Sequence, residues 1–186
     1  IGYQVTRIKP AEITYDELVK FDAIVVGIRA YNTVPELEFK QVELNRYIEN
    51  GGNLILQYNT SHRLITKDIA PFQIELPRDR VTDEFSEVSF LAPEHPILNY
   101  PNKISVNDFE NWVQERGLYF PNKWAKEFTP LLGMNDKKNK LTKGALLVAP
   151  YGKGYYIYTG ISFFRELPAG VPGAYRLFAN MLSIGK

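Results

Sequence analysis

The sequence predicts an α/β protein with a mostly parallel sheet flanked by helices. Two apolar runs, "DAIVVGI" (22–28) and "NLILQY" (53–58), have the length and composition of strands that are covered on both faces. Between them, "ELEFKQVELNRYIEN" (36–50) is typical of a helix that a proline begins and a pair of glycines ends. Strand, helix and strand joined by short links form a βαβ unit, which is expected to cross over right-handed.

The composition limits the classes of function. With 186 residues, of which 45% are apolar and 23% charged, the chain fits one globular domain. Its net charge of +1, without a long run of either sign, disfavours nucleic acid and acidic membranes as partners. No apolar run approaches the roughly 18 residues that a membrane-spanning helix needs.

The residue types of thiol and metal chemistry are scarce. The chain has no cysteine, which excludes thiolate catalysis, disulfides and thiolate metal sites. Its two histidines, His62 and His95, lack a metal-ligand spacing, so no metal and no cofactor is expected. The sequence begins at Ile1 without an initiator methionine or a charged leader. We therefore expect it to be a piece of a longer protein.

Local patterns predict the first elements. "YQVTRI" (3–8) alternates like a strand. A short helix is expected next, with Thr14 as the N-cap, Glu17 closing a capping box, and Ile13 and Leu18 forming a hydrophobic staple.

Residues 66–143 are expected to form an irregular insertion on the functional edge of the sheet. Seven prolines divide the segment into short strands and loops, with one helical turn at Asp108–Glu115. A late β-hairpin follows, and the glycines of Tyr151–Gly154 suit its turn. The last helix must lie on the sheet, because apolar side chains recur at helical spacing at Ala174, Leu177, Phe178, Met181 and Leu182.

Longer motifs carry a resemblance to a known family. Five of them occur in one order across residues 23–182: "VGIRAYNT", "LILQYNT", "RDRVTDE", "DFENWVQERGLYFP" and "SFFRELPAGVPGAYRLFANML". With "PEHPIL" and "YGKGYYIYTGISFF", they resemble the ThuA-like branch of the class I glutamine amidotransferase superfamily. They resemble still more closely the amidotransferase-like domain at the C-terminus of some bacterial PIG-L (LmbE-like) deacetylases.

The resemblance implies a flavodoxin-like sheet flanked by helices. Relative to that family pattern, the chain lacks the first strand and most of the first helix. The resemblance also suggests a bacterial protein and is compatible with export to the periplasm or the exterior, while the compartment stays open.

The turn after the second strand is where this superfamily places its nucleophile. Amidotransferases of this class carry a cysteine there, beside N–H groups that hold an oxyanion. Here the turn reads Asn59, Thr60 and Ser61, so glutamine hydrolysis by a thiolate is excluded. An alcohol nucleophile needs a histidine base, but His62 is too close in sequence and His95 lies in a loop of unknown position. The favoured interpretation is that Asn59 and Thr60 close the turn through side-chain to backbone hydrogen bonds.

A second candidate site lies in "NDFENWVQERG". Asp108, Glu110 and Glu115 offer carboxylates for acid–base catalysis, and Trp112 offers a platform for a sugar ring. A solvated helical turn is the favoured alternative, because the apolar residues of this stretch have helical spacing. Deacetylases of the PIG-L type need a His-Pro-Asp-Asp zinc motif, which this chain lacks, so the resemblance assigns that chemistry to another domain.

Polar side chains that follow neighbouring strands are expected to meet in one cleft. They are Arg29, Tyr31 and Asn32 after the first strand, Asn59 after the second, and Arg165 after the late strand. Such a cleft suits a saccharide or a carboxylate. It equally suits an internal network in which Arg165 pairs with Glu115 or Glu166.

Three hypotheses of function follow. The favoured one is a catalytically silent amidotransferase-like module that accompanies a covalently linked deacetylase and binds carbohydrate or docks the enzyme domain. The others are a small hydrolase and an assembly domain that forms homo-oligomers through a sheet edge or aromatic surface. No catalytic residue is assigned; the candidate ligand-binding residues are Arg29, Tyr31, Asn32, Asn59, Thr60, His62, Asp108, Glu110, Glu115 and Arg165.

Overall fold

The computed structural model describes residues 2–186. Its strands are β1 (Ala23–Val26), β2 (Asn53–Gln57), β3 (Ile74–Glu75), β4 (Arg80–Val81), β5 (Val88–Phe90), β6 (Gly117–Leu118), β7 (Lys123–Trp124), β8 (Thr129–Met134), β9 (Thr142–Tyr151) and β10 (Gly154–Thr159). Its α-helices are α1 (Tyr15–Leu18), α2 (Ala30–Thr33), α3 (Gln41–Glu49), α4 (Phe163–Glu166) and α5 (Pro172–Ser183). Short 3₁₀ helices occupy Pro10–Glu12, Pro35–Phe39, Pro96–Leu98 and Val106–Phe109.

Six strands form the main sheet in the order β1-β2-β10-β9-β8-β5. The pairs β1–β2 and β2–β10 are parallel, whereas β10–β9, β9–β8 and β8–β5 are antiparallel. The predicted α/β class is confirmed, with the parallel pairing concentrated at one end of the sheet. That end matters for function, because the carboxyl ends of adjacent parallel strands open onto the same edge.

The two faces of the sheet have separate apolar cores. Helix α3 packs with Leu54, Tyr156 and Tyr158 on one face, and α5 packs with Ile55 and Ile157 on the other. Successive residues of β2 and β10 thus point to opposite faces, as strand geometry requires. Since both faces are covered, these central strands are buried along nearly their whole length, which explains their apolar composition.

Several predicted elements are confirmed. Helix α3 ends just before the glycine pair, and β9 and β10 form the late hairpin, in which Tyr151 pairs with Gly154. Its turn places Gly152 at φ +60°, a left-handed conformation that glycine adopts without steric cost. Helix α5 buries Leu177 and Met181 completely, as its apolar stripe predicted.

Other expectations need correction. The segment 3–8 has no regular structure and is mostly exposed, because no strand of the sheet lies alongside it. Thr14 does stand at the N-cap of α1, but its side chain makes no capping hydrogen bond, and Glu17 instead pairs with Lys20. The helical turn expected at Asp108–Glu115 is a 3₁₀ helix that begins and ends earlier, at Val106–Phe109.

The middle segment, residues 66–143, is irregular but is not only an insertion at the sheet edge. It supplies β5 and β8 to the main sheet, and the pairs β3–β7 and β4–β6 form two small sheets of their own. None of the helices within residues 2–186 has the length and apolar character needed to cross a membrane.

Candidate ligand-binding site

The turn after β2 is closed by its own amide side chains. Asn59 is fully buried, and its Oδ1 accepts the N–H of Tyr31 at 2.8 Å while its Nδ2 donates to the carbonyl of Gln57 at 2.9 Å. Asn32 accepts the N–H of Thr60 at 2.8 Å and donates to its carbonyl at 2.9 Å. The side chains of Asn32 and Asn59 therefore hold the ends of β1 and β2 together instead of facing a ligand.

Tyr31 also belongs to the core. Its hydroxyl donates to Oε1 of Gln41 at 2.6 Å, and both residues are buried. Burial raises the pKa of the Tyr31 hydroxyl well above its usual range. Tyr31 thus positions helix α2 against α3 and offers nothing to the surface.

The alcohols of the turn have no activating base. Thr60 donates its hydroxyl to the carbonyl of His62 at 2.8 Å, and Ser61 and His62 are exposed. His95 caps the 3₁₀ helix that follows it, since its Nδ1 accepts the N–H of Ile97 at 3.2 Å, and burial lowers its pKa. Across the described residues, neither imidazole is hydrogen-bonded to Thr60 or Ser61. The arrangement needed for a serine or threonine nucleophile is therefore missing.

The carboxylates of the middle segment do not form a pair. Asp108 is buried, where its Oδ1 accepts Nε of Arg176 at 2.7 Å and its Oδ2 accepts the N–H of Ser105 at 2.8 Å. Trp112 is buried as well, with its indole N–H donated to the carbonyl of Asp108 at 2.9 Å, so it offers no platform to a sugar. Glu110 is exposed and makes no such contacts. Asp108 and Trp112 serve to dock this segment on α5.

Glu115 and Arg165 form the internal ion pair that the sequence allowed. Nε of Arg165 lies 2.7 Å from Oε1 of Glu115, whose side chain is only 11% exposed. Glu166 is separate from this pair: it is fully buried and accepts the N–H of Val113 at 3.1 Å and the hydroxyl of Ser162 at 3.3 Å. Burial raises the pKa of Glu166, although these hydrogen bonds and the nearby arginines oppose the shift. The network ties the middle segment to α4.

An aromatic cluster lies beside that ion pair. The rings of Tyr58 and Tyr119 are stacked, with centroids 6.1 Å apart and planes 7° from parallel. The ring centroid of Phe164 lies 5.2 Å from that of Tyr58, and the two ring planes are inclined by 50°. The guanidinium carbon of Arg165 is 4.9 Å from the centroid of Phe164. We call the region formed by Arg29, Tyr58, Tyr119, Phe164 and Arg165 the Tyr58 cleft; Tyr58 is buried beneath the other four side chains, which are half-buried or exposed.

The Tyr58 cleft lies at the carboxyl ends of the three parallel strands. Arg29 follows β1, Tyr58 follows β2, and Phe164 and Arg165 follow β10. Burial raises the pKa of Tyr58, and the positive charge of Arg29 partly offsets that shift. Only Nε of Arg165 is used in the ion pair; within residues 2–186 neither its terminal Nη groups nor the guanidinium of Arg29 makes a hydrogen bond.

The backbone of the cleft is strained at two of its residues. Arg29 has φ +56° and Tyr119 has φ +54°, in the left-handed region that non-glycine residues rarely adopt. Both are held by hydrogen bonds: the N–H of Arg29 donates to the carbonyl of Tyr58 at 2.8 Å, and the hydroxyl of Tyr158 donates to the carbonyl of Tyr119 at 2.9 Å. Such strain, about 1 kcal/mol or more for each residue, is concentrated at functional sites in folded proteins.

The sequence reasoning identified Arg29 and Arg165 and missed the aromatic members. Tyr58 immediately follows β2 and Phe164 lies in α4, the first helix after β10, so their positions relative to buried strands were a usable signal. Tyr119 is brought in by the pairing of β4 with β6, and no local pattern predicts that contact.

A buried cation was missed as well. Arg116 donates from Nε and one Nη to the carbonyl of Ser86 and from the other Nη to that of Phe109. Burial lowers its pKa to about 10. No group of His, Asp or Glu side chains in the described part of the chain has the arrangement of a metal site.

Solved structures with a similar fold include two cytoplasmic proteins of Salmonella typhimurium. STM3548 matches with a TM-score of 0.59 at 16% identity, over 91% of this chain and 73% of that protein. STM1381, from strain LT2, matches with a TM-score of 0.58 at 16% identity, over 93% of this chain and 75% of that protein. At this identity the likeness concerns the fold alone.

A β-galactosidase from Bacillus circulans sp. alkalophilus is a weaker match. Its TM-score is 0.49 at 10% identity, over 87% of this chain and 22% of the enzyme, which is too low to bear on function. No protein-family model matches the chain, and no protein of curated function matches it.

Proposed function

We propose that this chain is a catalytically silent, glutamine amidotransferase-like accessory domain that binds a saccharide in the Tyr58 cleft. The observation that carries the proposal is the pair of half-buried rings of Tyr119 and Phe164, which pack on the buried ring of Tyr58 at the carboxyl ends of the parallel strands. Beside them, Arg29 and the Nη groups of Arg165 make no hydrogen bond within residues 2–186. Ligands of α/β proteins bind at that edge of the sheet.

The chemistry of the cleft fits a sugar. Aromatic rings present apolar faces that pack against the C–H face of a pyranose, while polar groups around them hydrogen-bond its hydroxyls. Arg29 and Arg165 supply donors, and Glu115 supplies a carboxylate whose second oxygen is not used in the pair with Arg165. This combination of stacking surface, donors and an acceptor favours a neutral or acidic saccharide.

The proposed lack of catalysis follows from the turn after β2. Asn59, Thr60 and Ser61 stand where the amidotransferases carry their nucleophile. The side chains of Asn59 and Thr60 hydrogen-bond to the backbone, and in the described part of the chain neither hydroxyl of the turn has a histidine base. The sequence motifs alone support a link to a PIG-L-type deacetylase. In that setting the domain would hold the polysaccharide near a deacetylase domain elsewhere in the same protein.

Binding is tested by NMR titration of the labelled protein with glucose, N-acetylglucosamine and oligomers of N-acetylglucosamine. We expect saturable shifts of amides next to the Tyr58 cleft. Tyr119→Ala should weaken binding about tenfold, because a stacking surface is lost. Tyr3→Ala is the matched control, since Tyr3 is an exposed tyrosine outside the aromatic cluster. Equal affinity in both variants, or no saturable shift with any sugar, would overturn the proposal.

Assembly through the β1 edge is a second candidate. Strand β1 is at one edge of the main sheet, and Val25, which it carries, remains 40% exposed on the face that α5 covers elsewhere. An open edge strand with an apolar residue is a template for pairing with another chain. Sedimentation analysis decides this: a concentration-dependent dimer that Val25→Lys abolishes supports it, and a monomer at all concentrations refutes it.

A further inference from the structure

We propose a second binding site, for a phosphate or sulfate ester group, in a cavity between β4 and the β8–β9 loop. The cavity has a volume of about 490 Å³, which is within the range of small-molecule sites. Arg78, Arg80 and Lys140 line it together with the amide side chains of Asn135 and Asn139. It shares no residue with the Tyr58 cleft and does not rest on the function proposed for that cleft.

The cations of this cavity are uncommitted. Within residues 2–186, the side chains of Arg78, Arg80 and Lys140 make no ion pair and no hydrogen bond. The loop adds Lys137 and Lys138, both exposed. Three basic side chains therefore line the cavity against two acidic ones, Asp79 and Asp136, and the two further lysines of the loop lie next to this lining in sequence. Such a field attracts anions and focuses them into the cavity.

Both acids that line the cavity accept hydrogen bonds from the protein, Asp79 a long one of 3.5 Å from Nδ2 of Asn122 and Asp136 several shorter ones. Asp136 accepts the N–H of Thr82 at 3.0 Å, the hydroxyl of Thr82 at 2.9 Å and the N–H of Asp83 at 2.9 Å. Partial burial acts to raise the pKa of Asp136, but these hydrogen bonds outweigh it and hold the pKa below the ordinary value. The carboxylate thus fastens the loop to the segment after β4 and shapes the cavity wall, with its oxygens facing donors of the protein.

Cations line the cavity from two sides, which suits an anion with several acceptor oxygens. Arg80 lies on β4 and Arg78 lies just before that strand, whereas Lys140 belongs to the β8–β9 loop. Several charge-assisted donors converging on one cavity match the three oxygens and the charge of a phosphate or sulfate ester. The cavity volume leaves room for the small molecule that carries the ester, such as a sugar.

The test is an NMR titration of the full chain with inorganic phosphate, glucose 6-phosphate, glucose 6-sulfate and, as the neutral control, glucose. We expect saturable shifts at Arg80–Thr82 and across the β8–β9 loop with the phosphorylated or the sulfated sugar, and none there with glucose. The two esters distinguish the possible sources of the oxyanion. Absence of a saturable shift with both esters would overturn the proposal.

Matched variants separate a local site from general attraction. Arg80→Gln/Lys140→Gln should weaken ester binding by at least about tenfold, because two charge-assisted contacts are lost. Arg7→Gln/Lys126→Gln removes the same charge at exposed positions outside the cavity and should change the affinity less than about twofold. Similar losses in the two double variants would show that binding is non-specific and would refute the site. All four side chains are exposed, so we expect thermal unfolding to report folded protein in both cases.

Discussion

At the scale of single residues, the ion pair of Arg165 and Glu115 decides how the middle segment is attached to the sheet. Glu115 is nearly buried, whereas Arg165 is 37% exposed. Removing the arginine leaves a carboxylate without its cation, and solvent screening limits the cost. We expect Arg165→Gln to lower the free energy of unfolding by about 1–2 kcal/mol.

A double-mutant cycle with Glu115→Gln isolates the interaction. Urea unfolding of both single variants and the double variant should give a coupling of about 1 kcal/mol. The exposed pair of Lys20 and Glu17 is the control, and Lys20→Gln should cost less than about 0.5 kcal/mol. A coupling near zero at Arg165 would mean that the pair contributes nothing to the attachment.

Glu166 makes a pH-dependent contribution to the free energy of unfolding. Burial raises the pKa of Glu166 in the folded state, so the folded protein binds this proton more tightly than the unfolded chain does. Its contribution to stability is therefore present below the ordinary pKa of a glutamate and is lost as the pH rises through the folded pKa. Glu166→Gln keeps an oxygen for the N–H of Val113 but does not ionise.

The stability of Glu166→Gln relative to the natural chain should consequently increase with pH. Urea unfolding at about pH 4 and about pH 8 measures this difference. Glu110→Gln removes one negative charge at an exposed position and controls for net charge. The same difference at both pH values would contradict the assigned effect of burial.

These residues mark how far sequence reasoning reaches at this scale. The order of elements predicted that Arg29, Asn59 and Arg165 follow neighbouring strands, and the structure bears this out. It did not predict that Asn59 is buried, because that depends on the chain after the turn folding back, where the N–H of Ile65 donates to the carbonyl of Tyr31 at 2.9 Å. Exposure and burial of a polar side chain are set by such contacts, which no periodicity encodes.

At the scale of elements, helix α5 approaches the 3₁₀ helix Val106–Phe109 so closely that only glycine fits between them. A Cβ atom at Gly173 would overlap the carbonyl oxygen of Asp108. Alanine has the better helix propensity by about 1 kcal/mol, but the overlap is with backbone, which cannot move aside cheaply. We expect Gly173→Ala to destabilise the protein by about 1–3 kcal/mol.

Gly27→Ala is the matched control for this substitution. A Cβ at Gly27 meets nothing within 4 Å, and its backbone is not left-handed. Denaturant midpoints of the two variants should therefore differ clearly, with Gly27→Ala close to the natural chain. If Gly173→Ala were neutral, the contact between α5 and the middle segment would be adjustable rather than close-packed.

Elements with a local signal were predictable, and elements made by distant pairing were not. The stripe of α5 and the glycine turn of the hairpin are contained in about twenty residues each or fewer, so their patterns are complete in the sequence. Strands β5 and β8 are short or interrupted by proline, and they become strands through pairing with each other and with β9. The strand predicted at residues 3–8 does not form, because an alternating sequence alone does not supply a partner strand.

At the scale of the whole molecule, the main sheet is shared by the two apolar cores. Leu147 and Val148 of β9, like Ile157 and Tyr158 of β10, are fully or almost fully buried on opposite faces. Loss of either core would expose one side of these strands to water. The two cores should therefore unfold together in a single cooperative transition.

The two tryptophans make this cooperativity measurable. Trp112 belongs to the core beneath α5, and Trp124 packs against the core beneath α3. In Trp124→Phe the fluorescence reports only the first core, and in Trp112→Phe only the second. Because the sheet couples both faces, the fluorescence midpoint in urea should coincide with the circular-dichroism midpoint within each variant. Trp112→Phe should lower both midpoints together, because it loses the hydrogen bond to Asp108. A fluorescence transition that precedes the circular-dichroism transition in either variant would show that the core around the remaining tryptophan unfolds independently. The six-stranded sheet would then not join the two cores into one cooperative unit.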